Sequence, residues 1–311
     1  MKRLPPIPLR DKYYKSVQNE IERIFFELIY RELFKVIGEQ PVKNSVGDAL
    51  YEAIESGQVY IEGNAIRGQF NSSIGRIIRQ SGGRYNKKSK TYTLIDLPSE
   101  YRMAQAGAEI RFNNLRADII QSLDRVNIDS INDISSIPDM YSETLIDMER
   151  DFKKSVTPFA IPPQITIEQA NIISAEWGAN LDLYVRNWAS ENILSLRQTV
   201  ATNAMAGYRA SNLEKTIQDN YKVSKNKAKF LARQETALLM SKYHETRYKD
   251  LGVTKYIWST SNDERVRQSH KDLDNKVILW DSPPVVDRMT GRTAHAGEDF
   301  GCRCVAIAVI D

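Results

Sequence analysis

Apolar residues recur at three- and four-residue steps through most of this chain, and the breaks in that rhythm mark where its architecture changes. Val17, Ile21, Ile24, Phe25, Leu28 and Phe34 predict a helix over 13–37, with Gly38 as its stop. Phe26, Ile29 and Leu33 widen the stripe beyond one contact face, so this helix should be buried between neighbouring elements or against another subunit. A short helix is expected over 46–55. At 59–66 the period falls to two, with Val59 and Ile61 set against Tyr60 and Glu62, which suits a strand or a hairpin arm. Asn71 offers a cap for a helix over 72–80 that Gly82 and Gly83 close, and 84–95 reads as a hairpin turning at 86–89.

Helical spacing resumes at 101–123 and 139–153. Pro158, Pro162 and Pro163 exclude a helix interior over 157–166 and predict a domain boundary. Thr166 caps a tract running to about 206. Ser211-Asn212-Leu213-Glu214 has the spacing of a capping box for a helix ending near 221, and Ser224 is placed to cap a further helix to 250, before Gly252. Long helices with short turns predict a bundle or stalk. Beyond Gly252, strands are expected at 256–259, 277–280 and 302–310, with a loop between Trp280 and Phe300. The fold class is therefore mostly helical α+β. An extended arm (1–12, with Pro5, Pro6 and Pro8) precedes a helical domain (13–156) that carries a small α+β insert at about 58–97. A helical bundle or stalk (164–222) and a mixed α/β C-terminal domain (223–311) follow. Such an arm is either disordered or laid extended on a partner.

Composition sharpens this only locally. With 27% charged and 41% apolar residues the chain reads as an ordinary soluble globular protein. It contains no bilayer-length apolar run, and the start MKRLPPIPLR lacks a signal-peptide core, so an intracellular protein is expected. The net charge of +3 excludes nothing. Its distribution matters more: Arg67, Arg76, Arg79, Arg84, Lys87, Lys88 and Lys90 fall in one stretch without an acid, a candidate patch for nucleic-acid phosphates or simply a solvated hairpin. No GxGxxG, Walker A, HExxH or GxSxG motif occurs, which argues against nucleotide-dependent or hydrolytic catalysis, and no catalytic residue is assigned.

The candidate chemistry gathers near the C-terminus. Both cysteines, Cys302 and Cys304, sit at i, i+2, too close for an easy mutual disulfide. In a strand they would present two thiols to one side. With His270 and His295 they form a Cys2His2 set suited to tetrahedral, structural zinc, although Cys-X-Cys is tighter than usual zinc spacing. The alternative is two half-buried thiols packed as small apolar groups. Asp263, Glu264, Asp272 and Asp274 could hold magnesium for nuclease chemistry, or cap, turn and pair with Arg265 and Arg267.

The order of features from 232 to 309 is specific: an entering helix, a tryptophan strand at Trp258, then Asp263, Arg265 and Arg267 ahead of His270, and a final Gly-Cys-Arg-Cys run. This order resembles the C-terminal domain of the Mu F-like phage minor head (head morphogenesis) proteins. The resemblance implies a minor capsid protein of a tailed phage, located in the virion at the capsid interior or portal vertex after assembly in the host cytoplasm. It implies association with the portal protein, and with major capsid or scaffolding protein, and a part in DNA packaging or ejection. It also implies that Arg233 and Glu235 form a buried pair bridging helix and sheet, with Trp258, Asp263 and Arg267 as further motif positions. Gly301 should be required by close backbone contact, and Asn275, where the family often has glycine, should adopt a left-handed turn. Two rivals remain from the residues alone: a DNA-binding protein acting weakly and without sequence preference through the basic insert, and a metal-dependent phage nuclease.

Overall fold

The computed structural model describes residues 2–38, 53–54, 57–62, 65–68, 70, 72–80, 83–93, 99–134, 136–158, 165–202 and 210–310. Its elements run β1 (Lys2–Arg3), α1 (Asp11–Phe25), a π-helical turn (Phe26–Tyr30) and α2 (Arg31–Gly38). Then come β2 (Val59–Glu62), β3 (Ala65–Gly68), α3 (Ser72–Gln80), β4 (Arg84–Asn86), β5 (Thr91–Thr93) and α4 (Ser99–Asp124). A 3-10 turn (Ile128–Ser130), α5 (Ile131–Ile134), α6 (Ile137–Val156), α7 (Ile167–Thr202) and α8 (Ala210–Asp250) complete the helical part. The C-terminal part holds β6 (Lys255–Ser259), α9 (Gln268–Lys271), β7 (Val277–Leu279), β8 (Val285–Asp287), β9 (Arg292–Thr293) and β10 (Val305–Ile310). The fold is mostly helical α+β, as the periodicity predicts. No helix among the described residues is long and apolar enough to cross a membrane. The expected helix at 46–55 (apart from Ala53 and Ile54), the Asn71 cap and most of the proline-rich 157–166 segment lie outside the described residues.

Contacts divide the chain into two units: Met1–Leu28, Asn127–Asn192 and Tyr221–Asp311, and separately Ile29–Val126 with Ile193–Asn220. This grouping by space differs from the segments expected in chain order. The division in the first helix falls inside the π turn, where an extra residue per turn shifts the apolar stripe. That shift explains why Phe26, Ile29 and Leu33 broaden the stripe. In the first unit, α1 buries Tyr13, Tyr14, Val17, Ile21, Ile24 and Phe25 within the protein itself. Thr144 Oγ1 donates to the Tyr13 carbonyl at 3.0 Å, and the Tyr13 hydroxyl to Asp151 at 2.5 Å, which locks α1 on α6. Phe25 packs on Trp188 of α7 with ring centroids 4.5 Å apart. Thr166 and Gln169 cap α7 reciprocally, each backbone N–H donating to the other's side chain at 3.0–3.1 Å.

Two helix expectations change. The helices predicted to meet between 221 and 224 are one, α8, and Ser224 is fully buried inside it. Ile217, Ser224, Ala228, Leu231 and Leu239 form a continuous buried stripe, with neither Gly nor Pro to break it. A serine that matches a capping position is thus a small packing residue. The arm is laid along this chain's own sheet. Lys2 and Arg3 pair antiparallel with Ile310 and Val309, and the Leu4 amide donates to the Ala308 carbonyl at 2.9 Å. Leu4 and Ile7 are buried. β1 thereby covers one edge of the sheet β1-β10-β6-β7, and the prolines at 5, 6 and 8 stop the ladder.

In the second unit the insert is a four-stranded antiparallel sheet, order β2-β3-β5-β4. α3 packs Ile74 and Ile78 on Val59, Ile66 and Tyr92 to form a small core. Gly83 donates to the Ile78 carbonyl at 2.8 Å, so close that a side chain at this position would strike Ile78.

Candidate metal centre

The centre is assembled from three short segments around β6. Strand alternation puts Tyr256 and Trp258 on one buried face of β6, and Asn275 closes the return to β7 with φ +61, donating its amide to the Trp258 carbonyl at 2.8 Å. Asparagine takes the left-handed turn as expected. Between them, α9 turns His270 inward, where its ring meets Trp258 edge-on with centroids 5.5 Å apart. The third segment, 294–304, follows the β8–β9 hairpin, a pairing where only a loop was expected. Gly301 sits in it with φ +62 and donates its amide to Gln234 Oε1 of α8 at 2.6 Å. No atom lies within 4 Å of where its Cβ would be, so backbone conformation, not the expected close contact, calls for glycine here.

Cys302 and Cys304 lie just before β10 rather than within it. Their convergence comes from the turn after Asp299 and not from strand pleat. Both Sγ atoms nonetheless approach His270 Nδ1 at 3.5 Å, and all three side chains are buried. Tetrahedral zinc with bonds of about 2.3 Å to sulfur and about 2.0 Å to nitrogen sets an S···N separation of about 3.5 Å. The ligand atoms of His270, Cys302 and Cys304 lie within 4.8 Å of one another, and no other such group of His, Cys, Asp and Glu occurs among the described residues. These three residues form a possible metal-binding site. His295 is not part of it. Its Nδ1 faces the Tyr256 hydroxyl at 3.1 Å, whereas His270 meets Trp258, two residues further along β6 and so about 7 Å away.

Behind His270 stands a residue that sequence reasoning missed. His270 Nε2 lies 3.0 Å from Asp299 Oδ2, and this buried carboxylate also accepts from Arg267 at 2.9 Å and pairs with Arg292 at 2.8 Å. Held by two guanidinium groups, Asp299 acts as an acceptor, so Nε2 carries a proton, and Nδ1, which faces the sulfurs, would offer its lone pair to a bound metal. Among themselves the groups share protons unequally. A hydrogen bond from Cys304, then one from His270, pulls the Cys302 thiol down to about 4, and the same Cys302 thiolate drives Cys304 upward. His270 is raised, first by its bond to Cys302 and also by Asp299. The signal for Asp299 in the sequence was its nearness to the Cys-Arg-Cys run, but nothing local marks an acid as buried.

The other motif positions sort by geometry. Arg303, between the cysteines, holds Asp263 with two bonds of 2.6 and 2.7 Å, which keeps that carboxyl below its usual range. Arg267 does not reach Asp263 but braces Asp299 and the Phe300 carbonyl. Arg233 and Glu235 lie two apart on α8 and so point to different sides, which does not suit the expected pair. Glu235 is buried on α8, and burial lifts its carboxyl to about 7. Three of the four acids proposed for magnesium are otherwise engaged, Asp263 with Arg303, Asp272 with Arg288 at 2.7 Å and Asp274 with the Thr260 amide at 2.8 Å. Arg67, Arg76, Arg79, Arg84, Lys87, Lys88 and Lys90 are all exposed on the insert, where Arg79 also donates to the Tyr92 hydroxyl at 3.2 Å.

Residues 195–307 match the family model described as Phage Mu protein F like protein. Among curated relatives, an uncharacterized protein of Haemophilus influenzae is 33% identical over 149 residues, covering 48% of this chain and 31% of that protein. Minor head protein GP7 of Bacillus phage SPP1 is 30% identical over 131 residues, covering 39% of this chain and 42% of that protein. The NAD(+)--arginine ADP-ribosyltransferase EFV of Enterococcus faecalis is 24% identical over 142 residues, 43% of this chain and 29% of that protein. The chain therefore spans less than half the length of each of these relatives. No solved structure matches it. Residues 195–307, which contain His270, Cys302 and Cys304, are thus the part of the chain that is similar to Phage Mu protein F like protein and, more weakly, to the SPP1 minor head protein.

Proposed function

We propose that this chain is a minor capsid protein of a tailed bacteriophage that joins the head at the portal vertex and serves head morphogenesis and DNA packaging or ejection. The observation that carries the reading is the family match over 195–307, together with the similarity to a phage minor head protein. It would reside in the virion after assembly in the host cytoplasm, with the portal protein as first partner and major capsid or scaffolding protein as further ones. Co-expression with the portal protein of the same phage tests this directly. The chain should co-purify with portal rings and appear in heads, and its absence from both would overturn the reading.

The cluster of His270, Cys302 and Cys304 supports a structural zinc in the same domain. The cysteine and histidine set suits zinc, and Asp299 is placed as the carboxylate that orients a ligating histidine. Metal analysis of the purified chain should give about one zinc per molecule. The exposed basic stretch of the insert supports weak, sequence-independent contact with phage DNA as an accessory role.

A further inference from the structure

A cavity of about 170 Å3 opens beside the two sulfurs, between the arm, α8 and the start of β10. Its lining includes Leu9, Arg233, His244, Trp280, Cys302 and Cys304. Resting on the zinc reading above, we infer that the metal keeps one exchangeable position turned to this cavity and takes a small anionic donor there.

Three observations converge on this. First, the protein supplies three ligand atoms, and among the described residues no fourth His, Cys, Asp or Glu joins the group. Zinc prefers four ligands, and three protein ligands leave one position for water or an incoming donor. Second, two residues lining the cavity carry buried ring nitrogens without a hydrogen-bond partner, His244 Nε2 and Trp280 Nε1. Buried polar atoms are rarely left unpaired, and the indole N–H can only donate, so a ligand bearing an acceptor satisfies it. Third, two thiolates and a neutral imidazole already balance the charge of the zinc ion. An added anion then meets Arg233, which lines the same cavity. The space is close to that of apolar cavities of about 150 Å3 that admit benzene, so the ligand is a compact molecule of a few non-hydrogen atoms.

Cobalt(II) substituted into the full chain tests the inference, with azide as the probe. Cobalt bound by two thiolates gives sulfur charge-transfer bands, and its visible d–d bands report the fourth ligand. Azide should shift the d–d bands in a saturable way, and Leu9→Trp, which puts a larger side chain into the cavity lining, should weaken azide at least about tenfold while leaving the cobalt spectrum intact. If cobalt binds with both sulfurs and its spectrum ignores azide, the position is closed: the inference fails and the metal reading stands. An azide shift that Leu9→Trp leaves unchanged would equally overturn the route through this cavity. A chain that binds neither zinc nor cobalt sinks the metal reading and the inference with it.

Discussion

The C-terminal domain and the basic insert are both small sheets with helical support, yet they hold together in opposite ways. In the C-terminal part, polar groups far apart in sequence meet: His270 with Asp299 in the interior, the Gln234 side chain with the Gly301 amide beside it, and Asp263 with Arg303 nearer the surface. The insert instead closes a modest apolar core of Val59, Ile66, Ile74, Ile78 and Tyr92, and turns its charge outward. Removing a charge should therefore damage the first and barely touch the second. A buried charged network is intolerant of losing one partner, whereas exposed cations seldom matter to stability.

The largest effect should follow Asp299→Ala. It strips His270, Arg267 and Arg292 of a shared acceptor and should lower stability by about 3 kcal/mol, and metal affinity at least about tenfold, measured by urea unfolding and metal titration. A change below about 1 kcal/mol would place the network among the surface pairs and dissolve the contrast. Deleting residues 2–9 comes next. Losing the burial of Leu4 and Ile7 should remove about 2–4 kcal/mol, read by thermal melting of the C-terminal domain. An unchanged melt would mean that the edge of β10 needs no cover.

A pH series isolates Glu235. Its carboxyl is raised by burial to about 7, so the folded state holds its proton more tightly than the unfolded chain does. That contribution is fully present below the unfolded value near 4.5 and is lost as pH rises towards about 7. Glu235→Gln should remove this loss, so that at pH 8 the variant is more stable than the parent by up to about 2 kcal/mol, with the gap vanishing near pH 4. Equal stability at both pH values would show the carboxylate to be well solvated. The smallest stability effect is expected in the insert. Changing Arg76, Arg79, Lys87 and Lys88 together to alanine should alter stability by no more than about 0.5 kcal/mol per site, while reducing DNA retention at low salt. Retention that is unchanged across a salt series would leave the patch a solvated surface.

The same contrast explains what could be read from the sequence. Repeating patterns gave the helices and the insert strands, because periodic burial is a local property of the chain. The insert's charges are equally local, and all seven residues lie exposed as a run of cations should. The metal-ligand candidates stood out because cysteine and histidine are scarce here, but their grouping was only partly legible. His295 has the right chemistry and the wrong place, beside Tyr256 rather than Trp258, and Asp299 has the right place without any local mark. Ser224 shows the reverse error: a capping residue by type is a buried spacer in α8, because the stripe on either side never breaks. Tertiary context decided each of these, and it is the one thing a window of sequence does not contain.

The β1–β10 ladder also bears on the order of folding. Lys2 meets Ile310 and Arg3 meets Val309, contacts between opposite ends of the described chain. Closing so long a loop carries a large entropic charge that only prior assembly of the intervening elements relieves. The two-residue strand should therefore lock last, after β6, β7 and β10 have found one another. Until then the apolar run Val305–Ile310 presents an open edge to whatever is near. For this domain, the interval before the arm arrives is the time of greatest exposure to aggregation.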